Sequence, residues 1–180
     1  MDILAMALIG LAVLLIVGGI LLHNQITRLK HRTANARHQV EVQLARRHDL
    51  IPNLVEVVEA AMRHERETLE AVVKARREAI ESLRKGAGSS ESAAAEARLS
   101  SALVPILMFV EAHPELKALD NMRALQEELS STENRIAFAR QHYNDAATAF
   151  NLARDQFPGS LFARGAEPAP LWEKPELSAA

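Results

Sequence analysis

Residues 122–157, MRALQEELSSTENRIAFARQHYNDAATAFNLARDQF, carry the hydrophobic repeat that decides the fold. Apolar or small residues recur at alternating three- and four-residue spacings through five heptads, which predicts one helix with a left-handed coiled-coil seam. Large side chains alternate with alanines in the second half, so we expect a neighbouring helix to approach closely there. The predicted seam consists of Leu125, Leu129, Thr132, Ile136, Ala139, Tyr143, Ala146, Phe150, Ala153 and Phe157.

Three further residues, Phe138, Ala149 and Leu152, widen this apolar stripe. A stripe of that width is typical of a helix that touches two neighbours in a bundle. Phe157-Pro158-Gly159 should end the helix. The rest of the chain is rich in proline and is predicted to be extended or disordered, although its large apolar side chains need burial. For Trp172, the only tryptophan, we expect docking onto the same bundle; a neighbouring subunit, the membrane surface or a partner is the alternative.

The preceding residues also show helical periodicity, with no β alternation. A first helix should run to about His48, where Pro52 interrupts it, because proline removes a backbone donor and clashes with the preceding turn. Asp49 then becomes a new N-cap or a kink. The second helix should end before a break at residues 86–90. The third should reach about Ala112 with Pro105 inside it.

Residues 3–22 are an unbroken run of 20 uncharged, mostly apolar residues. A helix of that length spans roughly 30 Å, the thickness of the bilayer's hydrocarbon core. No small-x-small cleavage site follows, so we predict an uncleaved membrane anchor. Only Met1 and Asp2 precede it, whereas four basic residues follow, which predicts the N-terminus outside and the body in the cytoplasm. The basic residues are Arg28, Lys30, Arg32 and Arg37.

The sequence therefore predicts an all-α protein with a single N-terminal transmembrane helix and an antiparallel bundle of four long helices. The predicted parts are an anchor at residues 1–24, the bundle at 25–157 and the tail at 158–180. Aromatic residues are only 4% of the chain, which fits a helical core built from aliphatic side chains. The net charge of -2 argues against nucleic-acid binding, which needs a basic surface.

Motifs that carry catalysis or bind metals do not occur in the sequence. A di-iron bundle needs two Glu-x-x-His motifs, and the chain has none. His64-Glu65 lacks the second histidine of a zinc protease, because Thr68 occupies that position. No cysteine, nucleophile elbow or phosphate-binding glycine loop is present. We therefore predict no enzyme activity, no metal and no cofactor.

Several strings together resemble the LemA family of bacterial membrane proteins. They lie at residues 41–55, 64–65, 75–76, 125–129, 133–140, 143–144 and 157–159. The resemblance covers essentially the whole chain. It implies a single N-terminal anchor at the bacterial inner membrane and a four-helix body, and it brings no assigned reaction. Some relatives are associated with the organisation of bacterial membranes and others with envelope signalling.

Two positions depart from the family pattern. Residues 30–34 replace a usual Tyr-Asn-x-Leu stretch, and Pro105 replaces a usual glycine. The resemblance and the local chemistry together select candidate interaction residues. These are Arg47, His48, Asp49, Pro52, Asn53, His64, Glu65, Arg76, Glu133, Asn134, Arg140, Tyr143, Asn144 and Trp172.

Charged candidates near predicted seams allow two interpretations. Arg76 and Glu65 fall near the seam of the second helix, where a charge persists only when it is paired. We expect Arg76 to bond a carboxylate of the facing helix, chosen from Glu127, Glu128 and Glu133, and thereby to fix helix register. The alternative is a polar groove that binds a ligand or a partner. Asn134, Arg140 and Asn144 carry the same ambiguity.

Two hypotheses about function follow. The first is a self-associating scaffold or membrane-organising protein, which a large exposed apolar stripe would favour. The second is a regulatory module that senses a ligand or partner and acts on a membrane protease or signalling kinase. A concave polar pocket lined by Arg76, Asn134 and Arg140 would favour the second. Both involve the lipid bilayer through residues 3–22, and the first implies a homo-oligomer; the second needs a further membrane or cytoplasmic protein.

Overall fold

The computed structural model describes residues 3–163 and 165–172. It is all-α, as predicted: 86% of the described residues are helical, and these residues contain no strand. Met1 and Asp2 of the predicted leader, and Glu173 and Pro175 of the predicted tail, lie outside the described residues. The helices are α1 (Ile3–Glu59), α2 (Arg66–Gly86), α3 (Ser90–Ala112), α4 (Pro114–Lys117), α5 (Asp120–Asp155) and α6 (Gly159–Phe162).

The chain divides into two compact units. Unit 1 contains the described residues of 1–36 and 143–171, and unit 2 those of 37–142 and 172–180. Helices α1 and α5 are each divided between the two units, whereas α2, α3 and α4 belong entirely to unit 2.

The predicted interruption of the first helix at Pro52 is wrong. Helix α1 continues through Pro52 to Glu59, and the chain leaves helical geometry only at residues 60–65. A proline at position 52 withholds the N–H that would bond the carbonyl oxygen of His48, four residues earlier. The Nε atom of Arg76 donates to that oxygen at 2.6 Å instead. This replacement donor, together with the burial of Ile51 and Leu54, explains why the helix persists.

Unit 2 is built around one apolar cluster. Helix α1 contributes Ile51, Leu54 and Val58, while α2 and α3 contribute most of the remainder. Met122 adds a buried side chain from the start of α5. The apolar side chains recur at three- and four-residue spacings, so each helix directs one stripe inward.

The break between α2 and α3 and the end of α3 agree with the sequence. Ser89 caps α3, because its hydroxyl accepts from the backbone N–H of Ser92 at 3.1 Å. Gly88 has a φ of 83°, a left-handed conformation that favours glycine. Helix α3 contains Pro105 and ends at Ala112, as predicted.

Unit 1 holds the second half of the predicted seam. Ala146 and Phe150 are buried, and Phe150 forms a small cluster with Ile26 and Ala163. The Thr33 hydroxyl donates to the carbonyl oxygen of Ala146 at 3.1 Å. An alanine at this position leaves room for the neighbouring helix, which agrees with the close approach predicted from the seam.

The outer parts of the predicted seam are wrong. Phe157 follows the end of α5 and is 80% exposed. Phe138 is 74% exposed, and Ala149 and Leu152 are also exposed rather than packed on a second neighbour. Helical spacing places a residue on a face, but a neighbouring element must also be present for that residue to become buried.

Within the described part of the chain, two helices are long and apolar enough to cross a membrane by length and composition. One begins at Ala5 near the N-terminus, and its most apolar window is not buried at all. The other is α3, which buries one face in the core of unit 2 as a helix of a soluble domain does. The first therefore fits the predicted membrane segment better.

Candidate functional site

A network of ionisable side chains lies inside unit 2. Glu96 of α3 stands at its centre, and its side chain is 3% exposed. Its Oε1 lies 2.7 Å from Nε2 of His48, which is buried to the same extent. Its Oε2 lies 3.5 Å from Nη1 of Arg47. One carboxylate therefore joins two consecutive residues of α1 to α3.

Arg47 extends the network to two further residues. Its Nη2 donates to the Ser100 hydroxyl at 2.7 Å, and its Nη1 lies 3.6 Å from Oε2 of Glu133 on α5. The Ser100 hydroxyl donates in turn to the carbonyl oxygen of Glu96 at 3.0 Å. Buried charges require such pairing, because the removal of an ion from water is costly. These contacts fix α1, α3 and α5 of unit 2 in one register.

Arg140 lies near the same carboxylates. Burial lowers the pKa of its guanidinium, and the charges of Glu96 and Glu133 oppose that shift, whereas Arg47 adds to it. Its Cζ atom is 5.8 Å from the centre of the Trp172 ring, within the range of a cation–π interaction. Its buried Nε has no hydrogen-bond partner among the described residues. Arg140 is thus held by an aromatic face and by nearby charge.

Trp172 is buried within the same chain, as we expected for the tail. Only 3% of the residue is exposed, and its ring lies against Gly88. A Cβ atom at position 88 would come within 3.2 Å of the ring. Glycine is therefore required there for two reasons, namely the positive φ and the close approach of the indole.

The tail before Trp172 is fastened to α5 by side chains that bond its backbone. The Tyr143 hydroxyl donates to the carbonyl oxygen of Pro170 at 2.7 Å. Arg154 donates from Nε to the carbonyl oxygen of Ala166 at 2.8 Å. Asn151 bonds Ala169 twice, since its Nδ2 donates to the carbonyl oxygen and its Oδ1 accepts from the backbone N–H, both at 2.9 Å.

The structure brings together some of the candidate residues and disperses others. Arg47, His48, Glu133, Arg140 and Trp172 meet in or beside the buried network. Arg76 bonds the backbone of His48, and Asn134 is exposed in a cleft beside the network. The remaining candidates lie elsewhere: Asp49, Pro52, Asn53, His64 and Glu65 are exposed, Tyr143 is buried in unit 1, and Asn144 is half-buried there.

Two expectations for charged residues are wrong. Arg76 bonds the His48 carbonyl oxygen rather than Glu127, Glu128 or Glu133. Glu65 is exposed in the turn before α2 and therefore does not lie at a helical seam. Both errors have one cause, because the break between α1 and α2 falls later in the chain than the sequence predicted.

Sequence reasoning also missed functional partners in the network and the tail. Glu96 carried a usable signal, since Ser92, Glu96, Leu99 and Leu103 follow the spacing of a buried stripe. Asn151 and Arg154 had no recognisable signal in the sequence, because their partners are backbone atoms of an irregular segment.

Two of the clefts on unit 2 include the candidate Asn134 in their linings. The larger, which we call the α1/α5 groove, has a volume of about 1140 Å³. Its apolar surface comes mainly from Val42 and Phe138, and its rim carries amides, hydroxyls and a few charges. The groove is lined by His38, Gln39, Val42, Gln43, Gln126, Glu127, Ser130, Ser131, Asn134, Arg135, Phe138, Ala139 and His142.

The smaller cleft has a volume of about 530 Å³ and lies beside the buried network. Arg47, Ser100, Glu133 and Asn134 contribute polar groups to it, and three leucines supply apolar surface. Arg76 and Arg140 are not among the described residues that line either cleft. Neither of these two clefts is therefore the polar pocket predicted from Arg76, Asn134 and Arg140.

Metal binding has little support in the described residues. They contain no group of three or more His, Asp or Glu side chains that could hold an ion. The His48–Glu96 pair supplies two ligands at most, and Arg47 already neutralises the carboxylate.

Comparison with protein families adds an independent observation. The sequence model of the LemA family matches residues 36–178, which are most of the chain. The protein belongs to the LemA family. A comparison with curated proteins gives no significant match. The LemA match begins after the apolar segment, so the membrane anchor is inferred from residues 3–22 themselves. The residues matched by the LemA model include every residue of the buried network and of both clefts.

Proposed function

We propose that this LemA-family protein is a membrane-anchored, non-enzymatic scaffold that self-associates through the α1/α5 groove. Residues 3–22 cross the bacterial inner membrane with the N-terminus outside, and the body is a four-helix antiparallel bundle in the cytoplasm. The shared apolar cluster of α1, α2, α3 and α5 supports the bundle. The exposed apolar surface at the start of α1 supports the anchor.

The observation that carries the proposal is the exposed Phe138 in the α1/α5 groove. A phenylalanine that is 74% exposed buries a large apolar area when a partner covers it. Val42 lies in the same groove and is also exposed. Grooves between two helices commonly accept a helix through such apolar positions.

The chemistry of the groove favours a second copy of the chain as the occupant. A two-fold interface must be complementary to itself. When one residue contacts a different residue of the second copy, the same contact is also made with the two copies exchanged. The groove carries both a protruding aromatic ring and the concave surface that would receive it. It also carries both Glu127 and Arg135, so opposite charges can pair across a two-fold axis.

A structural role for the buried network supports the non-enzymatic part of the proposal. His48, Glu96, Arg47 and Ser100 contact one another and connect α1 to α3, and Arg47 adds a longer contact to Glu133 of α5. We interpret these pairings as contacts that set helix register, because buried charges are stable only when they are paired.

Crosslinking tests the scaffold directly, because the chain has no cysteine. The full chain carrying Ser131→Cys, at an exposed position of the groove, should form a crosslinked dimer with a short bismaleimide when it is reconstituted in nanodiscs. Ser101→Cys on α3 is the matched control, since Ser101 is also exposed but lies outside the groove. Equal crosslinking at both positions would contradict a groove-specific interface. A uniformly monomeric protein would contradict self-association.

The orientation needs its own test. A phosphatase that is active only outside the cytoplasm should remain inactive when fused after Ala180, and a cytoplasmic reporter should be active there. The four basic residues after the anchor are the reason for this expectation. Strong phosphatase activity would contradict a cytoplasmic body.

The smaller cleft favours the second candidate function, a sensing module that acts on a membrane protease or signalling kinase. A ligand there would compete for Arg47 with Glu96 and Glu133, and so would loosen contacts between helices. Crosslinking in native membranes followed by mass spectrometry separates the two candidates. Products that contain only this chain support the scaffold, whereas a reproducible protease or kinase supports the sensor.

A further inference from the structure

We propose that residues 157–162, which include α6, form a second membrane contact that enters the bilayer interface beside α1. The inference rests on the proposed anchoring of residues 3–22. It adds a lipid-binding surface at the other end of the sequence, on the segment that follows α5.

The position of Phe162 carries the first step. A Cβ atom on Gly19 would lie 3.2 Å from Cε1 of Phe162, so the ring lies directly against the backbone of α1. Gly19 belongs to the apolar run and precedes its last residue, Leu22, by three positions. At a rise of about 1.5 Å per residue, the ring therefore sits roughly 4–5 Å inside the end of that run.

Exposure carries the second step. Phe157, Leu161 and Phe162 are all large, apolar and exposed, and they lie within one segment of six residues. The sequence had led us to expect that Leu161 and Phe162 would be buried. In water these neighbours form an unfavourable apolar patch, whereas in the headgroup–acyl boundary the same side chains are stabilised.

The contacts of unit 1 hold this patch in place. Ala163 packs with Ile26 and Phe150, immediately after α6. Arg154 bonds the backbone at Ala166. The patch is therefore preceded by α5, which ends at Asp155, and followed by a segment that is fixed to α1 and α5.

Continuity with α1 favours lipid over protein as the occupant. Phe162 touches Gly19, and exposed apolar side chains such as Ile16 and Ile20 lie on the turns around it. The patch and the anchor thus form adjoining apolar surfaces in unit 1. A partner protein that covered the patch alone would meet a lipid-exposed helix at its border.

Site-directed spin labelling of the full chain in nanodiscs tests the inference. Leu161→Cys reports on the patch, Val13→Cys reports on the anchor, and Ala149→Cys is the matched control. Ala149 is exposed on α5 and lies six residues before its end at Asp155, about 9 Å along the helix. Each single cysteine is labelled with a nitroxide, and its accessibility to oxygen and to a water-soluble nickel chelate is measured.

We expect the oxygen-to-nickel accessibility ratio at Leu161 to be several-fold higher than at Ala149 and to approach that at Val13. A ratio at Leu161 equal to that at Ala149 would overturn the membrane contact. Protection from both reagents at Leu161 would also overturn it, because that result indicates a protein contact. The ratio at Val13 separates the two proposals, since a water-like value there would contradict the anchor itself.

Discussion

Two regions of unit 2 depart from the usual distribution of side chains in opposite directions. The Glu96 network places three ionisable side chains in the interior, while the α1/α5 groove leaves Phe138 and Val42 in solvent. The buried groups are paired with one another, by a hydrogen bond between His48 and Glu96 and by an ion pair between Arg47 and Glu96, and this pairing favours one arrangement of α1 and α3. The exposed apolar groups have no such partners in the groove of the isolated chain. The first region specifies the fold, and the second is available for association.

The comparison predicts different costs for substitution in the two regions. Loss of one member of a buried pair leaves its partner desolvated and uncompensated. Loss of an exposed apolar side chain removes little from the folded state. Trp172 is the only tryptophan and is buried, so its fluorescence provides a common measurement of unfolding.

The largest effect is expected for Glu96→Ala. Removal of this carboxylate leaves His48 and Arg47 without their shared partner and should lower the free energy of unfolding by about 3–5 kcal/mol. Denaturant titration followed by Trp172 fluorescence measures the loss. Glu70→Ala is the control, because Glu70 forms an exposed pair with Arg66 and should change stability far less. Equal losses would show that the buried network does not specify the fold.

A smaller effect is expected at a buried apolar position in unit 1. Ala146→Leu should overpack the contact beside Thr33 and cost about 1–3 kcal/mol. Asp155→Leu, at an exposed position of the same helix, should cost much less. Thermal unfolding of both variants in nanodiscs measures the difference. If Ala146→Leu left the thermal stability unchanged, the seam of α5 would not be closely packed at this position.

The Arg76–His48 contact permits a double-mutant cycle. Arg76→Ala removes the donor to a carbonyl oxygen that Pro52 leaves without its helical bond, and should cost about 1–3 kcal/mol. In a Pro52→Ala background the residue at 52 can supply the missing N–H, so the same substitution should cost less. Additive effects would contradict this explanation of the continuous α1. Arg77→Ala, at the exposed neighbouring position, controls for a general loss of charge.

The smallest effect on stability is expected for Phe138→Ala. Because the ring is exposed, the change should stay within about 0.5 kcal/mol, yet it should abolish the proposed association. Phe150→Ala on the same helix is the matched control, and its buried ring should cost about 3–5 kcal/mol. A mass measurement of the Phe138→Ala protein in nanodiscs shows whether it is a monomer or a dimer. A Phe138→Ala protein that remained dimeric would remove the distinction between the two regions.

The sequence was sufficient for the helical class, the break at residues 86–90 and the end of α3. Those features depend on local signals. Gly88 and Ser89 mark the break, and the dipeptide His113-Pro114 directly follows the end of α3. The continuation of α1 through Pro52 could not be predicted, because the compensating donor, Arg76, is 24 residues later in the chain.

The candidate site also contains some features that the sequence could predict and others that it could not. Glu96 could have been found from its spacing with Leu99 and Leu103. The exposure of Phe138 and Phe157 could not, since a periodic pattern gives the face of a helix and not what covers that face. The position of the tail depended on contacts with backbone atoms, for which residue types provide little information.

The pairing of Asn151 with Ala169 has a consequence for the tail. A carboxamide presents the same donor and acceptor as one peptide group, so Asn151 recognises the tail at position 169 by its main chain, while the Ala169 side chain packs against the cluster of Ile26, Phe150 and Ala163. Other small side chains that fit this packing therefore leave the contact with Asn151 in place. One residue is excluded, because a proline at 169 would have no N–H to give to Oδ1. The sequence Pro168-Ala169-Pro170 has prolines on both sides of that position and none at it.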